Sequence, residues 1–142
     1  MHFTYIDIHS HLNFPQFDED RDAVIAKMRE EGIATITVGT DAKTSREAVE
    51  LAHTHEHLFA TVGIHPTHAN EEPFDEATFE ALLTDKVVAM GECGLDYYRS
   101  PRMDANETQM YANRQKTVFV QHIEFAKKHR LPLMLHCRAS QG

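Results

Sequence analysis

Tyr5-Ile6-Asp7-Ile8-His9-Ser10-His11 decides how this chain is read, because an apolar run ends there in two histidines spaced two apart. In a β-strand residues i and i+2 point to one face, so His9 and His11 converge at the strand's C-terminal end. Two convergent imidazoles suit a metal ion, although a histidine so placed also serves as acid, base or polar core residue. The design recurs downstream. Val87-Val88-Ala89-Met90-Gly91-Glu92 and Leu131-Pro132-Leu133-Met134-Leu135-His136 are apolar runs that each deliver one metal-competent side chain at the last position.

Between these runs the pattern alternates strand with helix. The first strand covers about residues 4–9, and a helix over roughly 18–31 carries Val24, Ile25 and Met28 on one face before Gly32 stops it. A strand over about 34–38 follows. Thr44-Ser45-Arg46-Glu47 is a capping-box pattern that opens a helix bearing Val49, Leu51 and Ala52, and Leu58–Ile64 reads as the third strand. The third helix holds Phe79, Leu82 and Leu83. After the fourth strand a longer connection, from Asp96 to about Glu107, leads to a helix presenting Val118, Phe119, Ile123 and Ala126, then to the fifth strand.

Strict β-α alternation predicts a parallel sheet with right-handed crossovers, covered by helices. No Gly-x-Gly-x-x-Gly loop follows the first strand, and functional groups end several different strands. That favours the C-terminal face of a TIM (β/α)8 barrel over an open doubly wound sheet. Such a barrel takes about 250 residues and eight strands. The 142 residues are therefore expected to supply about the first five strands and four helices, residues 1–142 being the N-terminal portion of a single barrel domain. A C-terminal half, or a second chain, is expected to cover the open edge.

Composition narrows the function. Fourteen Lys and Arg against twenty-two Asp and Glu give a net charge of −8, which disfavours a broad basic face coating duplex nucleic acid but leaves phosphate substrates open. No basic-then-apolar leader and no run of roughly 18 apolar residues is present, so no membrane partner and a cytoplasmic location are expected. Cys93 and Cys137 are expected to be buried reduced thiols on neighbouring strands.

Imidazole nitrogens with a carboxylate suit zinc, manganese or a similar divalent ion, and Glu92 has two oxygens with which to bridge a pair of ions. His9, His11, Glu92 and His136 are thus the candidate metal ligands. Gly63-Ile64-His65-Pro66 puts His65 on the same rim, as a contact for substrate or bound water. Asp96, four residues after Glu92, is placed to support a ligand histidine, and Tyr97, Tyr98, Arg99 and Arg102 suit a base and a phosphate. His53, His55 and His57 fall at a helix end, where residues two apart diverge, and read as surface groups. His122 and His129 read as solvated or packed helix residues.

Asp7-Ile8-His9-Ser10-His11-Leu12-Asn13, Val62-Gly63-Ile64-His65-Pro66, Gly91-Glu92-Cys93-Gly94-Leu95-Asp96-Tyr97-Tyr98 and Leu131-Pro132-Leu133-Met134-Leu135-His136-Cys137-Arg138 together resemble the TatD family of metal-dependent hydrolases. The resemblance implies a TIM-barrel metallohydrolase acting as a deoxyribonuclease, a 3′-5′ exonuclease on single-stranded DNA or DNA 3′ ends. It implies two divalent cations (Mg2+, Mn2+ or Zn2+), the first on His9 and His11, the second on His136, with Glu92 bridging both as the catalytic carboxylate. His65, Asp96, Arg99 and Arg138 would bind substrate or support the ligands. It also implies a later histidine and a catalytic aspartate that residues 1–142 do not contain, so the chain alone is expected to be inactive. Two other readings stay open: an amidohydrolase-type C–N bond hydrolase, and a non-catalytic fragment that binds metal or a partner.

Overall fold

The computed structural model describes residues 3–98 and 104–140, and Arg99 and Arg102 lie outside them. Five strands, β1 (Tyr5–Ser10), β2 (Ile33–Val38), β3 (Leu58–Val62), β4 (Val87–Asp96) and β5 (Leu133–Arg138), alternate with α1 (Arg21–Glu30), α2 (Ala42–His53), α3 (Glu76–Glu80) and α4 (Ala105–His129). All neighbours pair in parallel, in the order β1-β2-β3-β4-β5, and the sheet curls into a half-barrel. Sequential order places every C-terminal strand end on one rim, which is where the chemistry must lie.

Burial explains the strands. β2, β3 and β4 are almost continuously buried, as parallel strands covered on a face by helices must be. Ile25, Val49, Leu58, Val62, Phe79, Met90, Val118 and Phe125 form one core between sheet and helices. The two edges are different. Tyr5, Ile6 and Ile8 on β1 are 62–67% exposed and Leu135 on β5 is 61% exposed, so both edge strands present apolar side chains that a closed barrel would bury. The expected open half-barrel is therefore what the chain forms. No helix among the described residues is long and apolar enough to cross a membrane.

Several boundaries differ from the sequence expectation, each for a local reason. α2 begins at Ala42, because Asp41 is its N-cap: the Asp41 carboxylate accepts the Thr44 N–H at 2.7 Å while Thr44 Oγ1 accepts the Asp41 N–H at 3.0 Å. Thr44 thus closes the capping box instead of opening it. α3 is a single short turn, with Leu82 and Leu83 beyond its end. β4 runs on to Asp96, since its ladder with β5 continues through Asp96↔Arg138, so Glu92 sits mid-strand and Asp96 belongs to the strand and not to the connection.

β3 and β4 approach so closely near the rim that only glycine fits. A Cβ on Gly63 would stand 2.9 Å from the Gly91 Cα and carbonyl carbon, well inside contact distance. That approach brings the segment after β3 beside Glu92. Gly63→Ala should cost about 1–3 kcal/mol through forced strand displacement. A urea midpoint measurement checks it, and an unchanged midpoint would show slack between the two strands.

Candidate metal centre

Four strand ends supply the site. His9 lies on β1, His11 one residue past its end, His65 after β3, Glu92 and Asp96 on β4, and His136 and Arg138 on β5. Glu92 is 8% exposed, and its two oxygens face different partners. Oε2 lies 3.4 Å from His9 Nε2, which is itself 3.3 Å from His11 Nε2. Oε1 lies 3.0 Å from His136 Nδ1 and 4.0 Å from His65 Nε2. Two donor clusters result, His9–His11–Glu92 and His65–Glu92–His136, the donor atoms of each lying within 4.8 Å of one another, with Glu92 common to both.

Hydrogen bonds fix which nitrogen His11 and His65 offer. His11 Nδ1–H donates to the Val38 carbonyl at 3.1 Å, which leaves Nε2 with its lone pair directed at His9 and Glu92. Phe14 stacks on that ring at 4.4 Å and holds its plane. His65 behaves oppositely: its Nδ1 accepts the Thr67 backbone N–H at 3.2 Å, so in the neutral ring the proton sits on Nε2, facing Glu92. Burial pushes the His65 imidazole down to about 4, the Glu92 charge opposing this and His136 adding to it. A neutral His65 therefore presents an N–H donor at the rim, not a lone pair.

His136 carries the clearest sign that a cation fits. Its Nδ1 faces Glu92 Oε1 at 3.0 Å and its Nε2 faces Asp96 Oδ2 at 3.1 Å. A neutral imidazole has a single N–H and cannot donate to both carboxylates. A doubly protonated ring would serve both carboxylates, and a cation held by Nδ1 and Glu92 would also remove the conflict, leaving Nε2–H to Asp96 in the carboxylate–histidine–metal arrangement. Borderline imidazole nitrogens plus a carboxylate suit a divalent transition ion or zinc at either cluster, with His136 and Glu92 as the donors of the second.

Asp96 anchors the outer layer. It is 1% exposed and accepts Arg138 Nε at 2.9 and 3.0 Å, Arg138 Nη2 at 2.8 Å and the Tyr98 N–H at 3.1 Å. Burial pushes its carboxyl up, but Arg138, the Tyr98 amide and His136 outweigh this and hold it below the usual carboxylate range. The Arg138 guanidinium in turn stacks on the Tyr98 ring at 4.7 Å.

The structure thus brings His9, His11, His65, Glu92, Asp96, His136 and Arg138 to one rim. Other sequence expectations need correction. His57 is 2% exposed and bonds the Ile25 carbonyl through Nε2 at 3.2 Å, so it is a core residue at the opposite end of β3, not a surface one. Cys93 is buried, its thiol pushed up to about 12 by burial and the Glu92 charge, but Cys137 is exposed on the edge strand. Two residues of α4, Gln115 and His122, are buried polar groups bonded to strand ends. Their signal was present as two polar residues seven apart on an apolar helix face.

A parallel half-barrel whose C-terminal rim gathers histidines around one buried carboxylate defines a barrel of the metal-dependent hydrolase type. The chain belongs to the TatD family: the family described as TatD related DNase matches residues 6–142. Among curated proteins it is 38% identical over 136 residues to the 3′-5′ ssDNA/RNA exonuclease TatD of Pantoea ananatis, covering 93% of this chain and 49% of that protein. It is 34% identical over 137 residues to the uncharacterized metal-dependent hydrolase YabD of Bacillus subtilis, covering 93% and 50%. Among solved structures it resembles YJJV, a TatD homolog from Escherichia coli, with a TM-score of 0.76 at 28% identity over 96% of this chain and 51% of that one. A TatD family hydrolase from Entamoeba histolytica gives a TM-score of 0.77 at 28% identity, covering 99% and 52%. The chain spans about half the length of the relatives it matches.

His122 generates a pH prediction. Burial pushes its imidazole from 6.5 down to about 4, partly offset by its bond to the Val118 carbonyl. Between those values the unfolded chain binds a proton that the folded chain refuses. This contribution to stability is full above the unfolded value and is lost as pH falls toward the folded one, by up to about 3 kcal/mol. Urea unfolding of the metal-free chain at about pH 7 and about pH 4.5 should show a lower midpoint in acid, with a smaller drop in His122→Gln. Equal drops in both proteins would contradict it.

Proposed function

We propose that the complete protein is a divalent-metal-dependent 3′-5′ exonuclease that hydrolyses phosphodiesters at the ends of single-stranded DNA. The observation that carries this reading is the two-sided Glu92 carboxylate, one oxygen toward His9 and His11 and the other toward His136. His9, His11 and Glu92 would hold one cation, and Glu92 with His136 a second. When bound, such ions supply hydroxide near neutral pH and stabilise the charge that develops in an in-line displacement.

The chain's own groups do the rest. His65, neutral and protonated on Nε2, donates toward a phosphate oxygen in front of Glu92. Asp96 keeps the His136 Nε2–H in place and so keeps Nδ1 turned to Glu92. Arg138, tied to Asp96 and backed by Tyr98, holds a fixed positive charge at the rim. A net charge of −8 over these residues disfavours a broad basic track here, which suits capture of a strand end better than a grip on a long duplex. The extra length of the relatives, together with the exposed apolar residues on β1 and β5, supports further barrel strands covering both edges.

A 5′-labelled single-stranded oligonucleotide tests the reading. The complete protein with Mn2+ should shorten it from the 3′ end, and a chelator should stop the reaction. Glu92→Ala should lower turnover at least about 100-fold, because both cation positions lose a ligand. His53→Ala, on the surface of α2, should stay near wild type. Intact DNA beside hydrolysed amides, or full activity in Glu92→Ala, would overturn the assignment.

A further inference from the structure

Gln115 and His122 sit seven residues apart on α4, two helical turns along one face, and are 1% and 0% exposed. Each spends its polar atoms on the backbone of a strand end. Gln115 Oε1 accepts the Asp96 N–H at 2.8 Å and its Nε2–H donates to the Asp96 carbonyl at 2.8 Å. His122 Nδ1–H donates to the Val118 carbonyl at 2.7 Å, which leaves Nε2 to accept the Ile64 N–H at 2.9 Å. β3 ends at Val62 and β4 at Asp96, so these side chains supply bonds where the ladders stop.

The two backbone positions they hold flank the second donor cluster. Ile64 directly precedes His65, and Asp96 Oδ2 lies 3.1 Å from His136 Nε2. The His65 and His136 rings meet edge to face at 4.3 Å, so a shift of either strand end moves both. Packing alone does not call for this design, since the pocket around His122 is lined by Phe74 and Phe79 and would accept an apolar side chain.

We propose that Gln115 and His122 are positioning residues. From α4 they set His65 and Asp96 on either side of His136, and thereby tune the Glu92–His136 cation position without touching cation or substrate. This rests on the metal reading above. It also separates the two clusters: His9 and His11 hang on β1 and on the Val38 carbonyl, neither of which α4 bonds through these residues.

The test is a Zn2+ titration of the purified complete protein, followed by the ring resonances of each histidine. Gln115→Met and His122→Phe should weaken the Zn2+ response of His136 about 10-fold or more and leave that of His9 and His11 within about 2-fold. His122→Gln, which keeps an acceptor for the Ile64 N–H, should restore most of the loss. A general loss of stability would weaken both clusters together, and that result would overturn the inference, as would unchanged binding at His136. A complete wild-type protein in which His136 never responds to Zn2+ would overturn the metal reading and this inference with it. Should a variant not fold, the wild-type protein decides: a through-hydrogen-bond coupling between the Ile64 amide nitrogen and His122 Nε2 supports the clamp, and a His122 proton on Nε2 rules it out.

Discussion

One buried carboxylate organises the rim. Glu92 stands in the middle of β4 with a histidine at hydrogen-bonding or near-contact distance from each oxygen, and a charge so enclosed must be met by protons or cations. Everything nearby can be read as a means of meeting it from two sides. β1 brings His9 and His11 to Oε2, while β5 brings His136 to Oε1. The curl of the parallel sheet turns strands that are far apart in the order toward a common centre.

That convergence depends on how the strand ends are held, and different devices do it on each side. The Val38 carbonyl and the Phe14 ring fix His11. Bare glycine backbone at Gly63 lets the end of β3 press against β4, and at Gly91 it lets β5 approach β4 beside Met134. On the β5 side the Asp96 carboxylate collects Arg138, the Tyr98 amide and His136, and is itself secured through its backbone by Gln115. The negative net charge of the chain is thus compatible with a rim dense in nitrogen donors, because the local arrangement and not the total charge governs what binds there.

Much of this was legible in the sequence. The two-residue spacing of His9 and His11 at the end of an apolar run encodes their convergence, since strand period is a local property. The β-α alternation encodes the parallel sheet for the same reason. What escaped was set by tertiary contact. Asp96 reads as the start of a connection because the apolar run ends at Glu92, yet pairing with Arg138 and Gln115 keeps it in the strand. His57 reads as surface beside His53 and His55, but the chain turns inward there and Ile25 supplies an acceptor. Cys137 reads as buried by analogy with Cys93, whereas β5 is an edge strand with one face open. His122 looks like any polar helix residue until the end of β3 is seen to need an acceptor.

The central claim is that the two oxygens of Glu92 serve two separate cations. Anomalous diffraction from crystals of the protein soaked in Mn2+ addresses it directly, because manganese is located independently of the protein atoms. The account predicts two peaks flanking Glu92, one beside His9 and His11 and one beside His136. A single peak that leaves one Glu92 oxygen without a neighbouring ion, or peaks lying away from Glu92 altogether, would contradict it.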